Sequence, residues 1–211
     1  MHPSFWDSRY ASEPGYVFGT EPNDFLRSVV DRFRPGGRVL CVAEGEGRNA
    51  VFLAEHGFHV TALDQSAVGL AKARQLASDR GVSERVGTIV CDLLHHDLGH
   101  GSWDAVVWIF LHLAPLDRQR LLERVARALA PDGLLVVECY TPRQVRWNTG
   151  GPVQAPELLV ELADLQSACP GLETLIGCEQ ERDVIEGSGH TGRADVVQWL
   201  AQRPNAAGHR T

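Results

Sequence analysis

What the 211-residue sequence lacks narrows it quickly. Its five cysteines, Cys41, Cys91, Cys139, Cys169 and Cys178, are odd in number and scattered, with no Cys-x-x-Cys pair. That excludes a disulfide framework and predicts reduced thiols in a cytoplasmic protein. His95, His96 and His100 have no cysteine or carboxylate set at zinc-like spacing beside them, so no metal is expected. Positive charge is in deficit: 20 Lys and Arg against 27 Asp and Glu leave a net charge of −7. Without a basic patch, nucleic acid is not an expected partner. Long apolar runs are missing too. The most apolar stretch, Ala105 to Leu113, covers roughly nine residues where a bilayer asks for about 20, so no membrane span is expected. The opening MHPSFWDSRY has no charged-then-apolar secretion pattern.

What is there reads as alternating strand and helix. The runs 38–43, 59–64, 86–92, 103–110 and 133–140 are near-continuous in Val, Ile and Leu, as strands covered on both faces should be. Between them, 48–57, 66–81 and 116–133 carry helical spacing and end at Gly57, Gly81 and Gly133, where left-handed caps are expected. Farther on, 155–171 reads as a helix, and 172–184 with 193–203 as a hairpin whose first strand, over 171–179, could pair with a second copy. The predicted class is α/β: a Rossmann-like, doubly wound, seven-stranded, mostly parallel sheet with an antiparallel C-terminal hairpin. One domain over 1–203 is expected: an N-terminal segment (1–30), a cofactor-binding core (38–140) and an acceptor-side part (141–203), followed by a loose tail (204–211).

The stretch CVAEGEGRNA (41–50) carries the chemistry. Gly45 and Gly47 link the first strand to the first helix, where glycine permits a sharp turn and a close ligand. Asp64 ends the second strand about 20 residues beyond, the position of an acid that binds ribose hydroxyls. A nucleoside at the switch point of the sheet is therefore expected. A dinucleotide would want G-x-G-x-x-G, and its phosphates would meet Glu44 and Glu46, like charge against like. A cationic nucleoside without phosphate, S-adenosylmethionine, suits the two glutamates better.

Here the chain resembles a class I S-adenosylmethionine-dependent methyltransferase. VLCVAEGEG follows that family's first strand and turn, with Cys41 in the acid place and Ala43 in the first glycine place. The resemblance implies that Glu44, or a backbone carbonyl, serves the ligand's amino group. It assigns Asp64 and Gln65 to the ribose, and Asp92 with Leu93 to the adenine. Asn49 and Phe110 complete the expected cofactor set with Ala43, Gly45 and Gly47. WDAVVWIF and LAPDGLLVVE match the family's fourth and fifth strands. FWDSRY…YVFGTEPNDFL, ahead of the turn, is similar to the bacterial tellurite-resistance and thiopurine methyltransferases, which implies a small, soft acceptor: a thiol, or an oxyanion of selenium or tellurium. The aromatic-rich stretch from Phe5 to Phe25 is either an amphipathic helix at the sheet edge or a lid over the cofactor. His112, His190, Arg193 and Arg182 are the acceptor-side and catalytic candidates, with residues 147–152 as further lining. A nicotinamide-dependent oxidoreductase and a non-catalytic cofactor-binding module are the rival readings. The expected partner is a small-molecule acceptor, for a monomer or a homodimer.

Overall fold

The computed structural model describes residues 3–147 and 149–205, with side chains described from Phe5. Asn148, within the expected 147–152 lining, and residues 206–211 of the expected tail lie outside the described residues. Strands β1 (Arg38–Val42), β2 (His59–Asp64), β3 (Val86–Val90), β4 (Trp103–Ile109) and β5 (Leu129–Tyr140) run parallel. β6 (Glu173–Glu186) and β7 (His190–Gln202) form a hairpin, and β7 pairs antiparallel to β5. The order is β3-β2-β1-β4-β5-β7-β6, which reverses between β1 and β4. That reversal opens a crevice at the carboxyl ends of the strands. The expected α/β class and C-terminal hairpin are both present.

Six α-helices are described: α1 (Pro3–Ala11), α2 (Asp24–Val29), α3 (Arg48–Glu55), α4 (Ala67–Asp79), α5 (Pro115–Ala128) and α6 (Leu162–Ala168). Successive strand residues face opposite ways, so each central strand feeds two cores. Val39 and Cys41 of β1 join Leu134 and Val136 of β5 under α2, α3 and α4. Leu40 and Val42 join Leu135 and Val137 under α5 and α6. No helix among the described residues is long and apolar enough to cross a membrane.

Two boundaries and one burial pattern differ from expectation. The helix expected to run to Gly133 stops at Ala128, and β5 begins at Leu129, paired with Trp103. Pro131 cannot continue a helix and pushes Ala130 toward extended backbone; Asp132, at φ 63°, takes the left-handed turn expected of Gly133. The helix expected over 155–171 shrinks to a 3₁₀ turn at Pro156–Leu158 and α6, because Val160 N–H donates to Tyr140 O and extends the chain between them. β3 lies at the sheet edge with Ile89 and Val90 exposed, so it is not covered on both faces. Gly57 and Gly81 are left-handed after α3 and α4, as expected.

Candidate active site

The turn after β1 is built on left-handed backbone: Ala43 at φ 51°, Gly45 at 62° and Gly47 at 93°. An L-side chain there costs on the order of 1 kcal/mol, which Ala43 bears in the family's first glycine place. A Cβ at Gly47 would lie 2.6 Å from the Ala73 methyl, so α4 sits directly on the turn; one at Gly45 would strike the Tyr10 hydroxyl. Asp64, buried at the end of β2, holds the turn. Its Oδ2 accepts from Gly45 N–H and its Oδ1 from Ser66 N–H, each at 2.8 Å. Burial pushes its carboxyl above the usual range. Ser66, Gly45 and Gln65 all donate backbone N–H groups to this carboxylate, which leaves one of its roughly four lone pairs for a ligand hydroxyl. Gln65 follows it. At the end of β3 Leu93 is buried, whereas Asp92 is exposed, and its oxygens accept from Leu94 N–H (2.9 Å) and from His95 Nδ1 (2.8 Å). Tyr10 and Ala73 close over Gly45 and Gly47, and the two carboxylates beyond the ends of β2 and β3 suit the hydroxyl and amino donors of a nucleoside better than they suit phosphates.

The two glutamates of the turn do something other than expected. Glu44 Oε1 accepts from Asn49 N–H at 2.9 Å and Ala50 N–H at 2.8 Å, capping α3 and facing its positive end. Burial lifts its carboxyl to about 7 against the hydrogen bonds from Ala50 and Asn49 and the charge of Arg48. Glu46 accepts from Val17 N–H (2.8 Å) and Phe18 N–H (3.3 Å) and pairs with Lys72 Nζ (2.9 Å). These carboxylates fasten the fold where the sequence predicted a ligand contact. Asn49 is also occupied: its Oδ1 accepts from Asn23 N–H at 2.9 Å.

Asn23 is a hub that the sequence reading missed. Its own Oδ1 caps α2 at Leu26 N–H (3.0 Å), while Nδ2 donates to Glu138 (2.8 Å) and Glu186 (3.0 Å). Arg48 pairs with Glu186 at 2.5 Å; Arg182 pairs with Glu138, Glu186 and Asp24; Gln198 donates to Glu138. Burial would raise the Glu186 carboxyl, yet Arg48, His190 and Arg182 outweigh it and hold it far below the usual range. Arg182 is thus committed to this network, not to an acceptor. The available signals were slight: one glutamate within the apolar run LLVVECY, and the asparagine after Pro22.

The segment before α2 covers the turn. Asp7 of α1 accepts from Ser66 Oγ at 2.6 Å and Val68 N–H at 3.3 Å. Tyr10 is buried against Gly45, and burial with the charges of Asp64, Glu46 and Glu44 drives its hydroxyl pKa far up. Trp6, Tyr10 and Phe18 form one ring cluster with centroids 5.6–6.4 Å apart. This is packing over the crevice, not at the sheet edge.

That cluster continues to the ends of β4 and β5. The His190 ring lies 4.6 Å from Phe18, 4.8 Å from Phe110 and 5.5 Å from Tyr140. His112 lies parallel to Tyr140 at 5.7 Å. Phe110, at φ 51°, is a strained residue at a strand end, as functional sites often hold. From the expected 147–152 lining, Gly150 closes on the Tyr140 hydroxyl. Burial lowers the imidazole of His112 to about 4 and that of His190 below its ordinary value. Among the described residues, His112 Nε2 and His190 Nδ1 are buried without a partner at hydrogen-bond distance, the latter 3.9 Å from Glu186 Oε2. Arg193 is not brought here; it is 47% exposed and pairs with Glu181 at 2.9 Å.

Residues 39–133 match a family described as a methyltransferase domain. A glycine/sarcosine N-methyltransferase of Halorhodospira halochloris is 34% identical over 137 residues, 63% of this chain and 47% of the relative. The chain spans about half the length of the curated relatives it matches. A solved structure described for the conversion of a disulfide bond into a thioacetal group during echinomycin biosynthesis superposes with TM-score 0.77 at 19% identity, covering 98% of this chain and 93% of that one. TehB from Haemophilus influenzae superposes with TM-score 0.69 at 15% identity, covering 94% and 67%. These two likenesses establish a shared fold.

Asn23→Asp sets a third carboxylate beside two buried ones and removes their amide donor. It should cost about 3 kcal/mol or more of stability, read as a lower urea midpoint; an unchanged midpoint would remove the network from the stability of the fold. Glu44 predicts a pH dependence. Its folded carboxyl titrates near 7 and its reference value is 4.5, so the folded state loses stability as pH rises through that window. Glu44→Gln keeps an acceptor for both amides and abolishes the loss. Relative to the parent it should gain up to about 3 kcal/mol between about pH 5 and pH 8; an equal difference at both values, in urea titrations, would mean that folded Glu44 is ionised throughout.

Proposed function

We propose, from the match of residues 39–133 to a methyltransferase domain family, that this chain binds S-adenosylmethionine and moves its methyl group to a small molecule held at the carboxyl ends of β4 and β5. The observation that carries this reading is the line from Asp64 and the Gly45–Gly47 turn to the cluster of Phe110, His112, Tyr140 and His190. The cofactor supplies a methyl carbon activated by a sulfonium. Asp64 and Gln65 take the ribose hydroxyls, Asp92 and Leu93 the adenine, and the backbone of Ala43, Gly45 and Gly47 the amino-acid end, with Phe110 beside the methyl. The N-terminal segment, through Tyr10 and Phe18, acts as a lid that keeps water out. His112 and His190 face the acceptor.

Aligning nucleophile and methyl in a dry site is most of what such a transfer needs. A soft nucleophile, a thiol or a selenium or tellurium oxyanion, requires no strong base, and both histidines are weak bases here. A small amine is the second reading, favoured by the named activity of the 34%-identical relative.

Isothermal titration with S-adenosylmethionine, S-adenosylhomocysteine and NAD tests the premise: the first two should bind and NAD should not. Asp64→Ala should weaken S-adenosylhomocysteine by roughly 10–100-fold, the loss of charge-assisted hydrogen bonds. Unchanged affinity would move the cofactor elsewhere, and NAD binding alone would favour an oxidoreductase.

A further inference from the structure

His112 lies just beyond β4, and its Nδ1 is 3.1 Å from Leu158 O. A carbonyl only accepts, so Nδ1 must carry the hydrogen. The buried ring is neutral, which leaves Nε2 with a bare lone pair. That atom is enclosed and has no hydrogen-bond partner among the described residues. The ring is parallel to Tyr140, itself stacked on Phe110 at 4.5 Å. The outstanding need at this spot is a hydrogen-bond donor.

The surrounding charge points the same way. Arg118 faces His112 but is bound to Asp164 at 3.1 Å and aimed at the carbonyls of Leu113 and Leu159. Behind Tyr140, Glu138 and Glu186 are matched by Arg182 and Arg48. Each of these arginines is already paired. An anion brought here would shed water against a lone pair and aromatic faces, with the cofactor's sulfonium but no unpaired side-chain cation around His112 among the described residues to compensate it.

We infer that the acceptor is a neutral molecule bearing a hydrogen on its reacting atom, an alcohol, phenol or thiol, and that His112 reads that hydrogen through Nε2. This rests on the methyl-transfer reading above and narrows it, setting aside oxyanions and amino-acid carboxylates. As the oxygen or sulfur of the acceptor bonds to the methyl carbon, the carbon–sulfur bond of the sulfonium breaks and its electron pair stays on sulfur. The acceptor's proton passes to Nε2, and the imidazolium returns it to water when the methylated product leaves. The Leu158 carbonyl is the positioning group, since it fixes the tautomer.

The test uses the full chain, ¹⁵N-labelled at histidine and saturated with S-adenosylhomocysteine. Ring-nitrogen spectra at neutral pH should give His112 as the neutral Nδ1–H tautomer. Phenol or benzyl mercaptan should shift its Nε2 resonance; sodium tellurite and glycine should not. In turnover with S-adenosylmethionine, His112→Asn keeps a donor toward Leu158 and drops the Nε2 lone pair. It should lower kcat/KM for the phenol or thiol by at least about 100-fold, with S-adenosylhomocysteine affinity unchanged, and His112→Gln should recover part of the loss. An Nε2–H tautomer, an imidazolium, no shift with either neutral probe, or preference for tellurite or glycine would overturn the inference. Failure to bind S-adenosylhomocysteine with the tautomer intact would instead overturn the cofactor premise.

Discussion

Two arginines and two glutamates, closed around Asn23 under the end of β5, are the constraint on which the rest of the site depends. Glu138 is fully buried on the strand face that carries Leu134 and Val136. A lone carboxylate there would be intolerable, and a lone guanidinium equally so. Paired, they join four parts of the chain that share no sequence neighbourhood: the start of α2, the start of α3, β5 and the β6–β7 hairpin. Removing any one member strands the others, so the site is held as a unit.

The same logic governs the glycine turn. Its two carboxylates are spent inside the protein, Glu44 on α3 and Glu46 on residues 17 and 18. What remains open to a ligand is one buried carboxylate, Asp64, and backbone. Farther along the crevice the functional groups are aromatic rings and largely buried imidazoles whose pKa values burial lowers. In the proposed site, negative character is concentrated where the ribose would lie, and the end that would hold the acceptor is close to neutral. That division separates recognition of the nucleoside from recognition of whatever is modified.

Much of the fold was legible because hydrophobic period and strand order are local properties. The runs at 38–43, 59–64 and 103–110 became β1, β2 and β4, and Asp64 ended its strand as expected. Apart from the helix end at Pro131, the reading failed where a distant partner intervenes. Val160 is extended because Tyr140 O accepts its N–H; Arg182 is diverted from the crevice by Glu138. Glu44 and Glu46 were recognised as unusual, but their purpose depends on which amides lie beside them once the chain is folded. The pair His112 and Leu158 has no sequence signal, since a backbone carbonyl looks the same at every residue.

The tip of the long hairpin touches the segment that covers the turn. Gly189 N–H donates to Val17 O at 3.0 Å, and Ser188 Oγ to Glu13 Oε1 at 2.8 Å. Ser188 and Val17 are separated by 171 positions in the chain. On the ribosome, where the N-terminal part emerges first, residues 13–19 wait through the synthesis of six strands before their C-terminal partner exists. A nascent chain can therefore form β1 to β5 and the glycine turn before residues 13–19 and the Asn23 network find their partners in the β6–β7 hairpin. The β6–β7 hairpin, made after β1 to β5, is what ties residues 13–19 down over the turn.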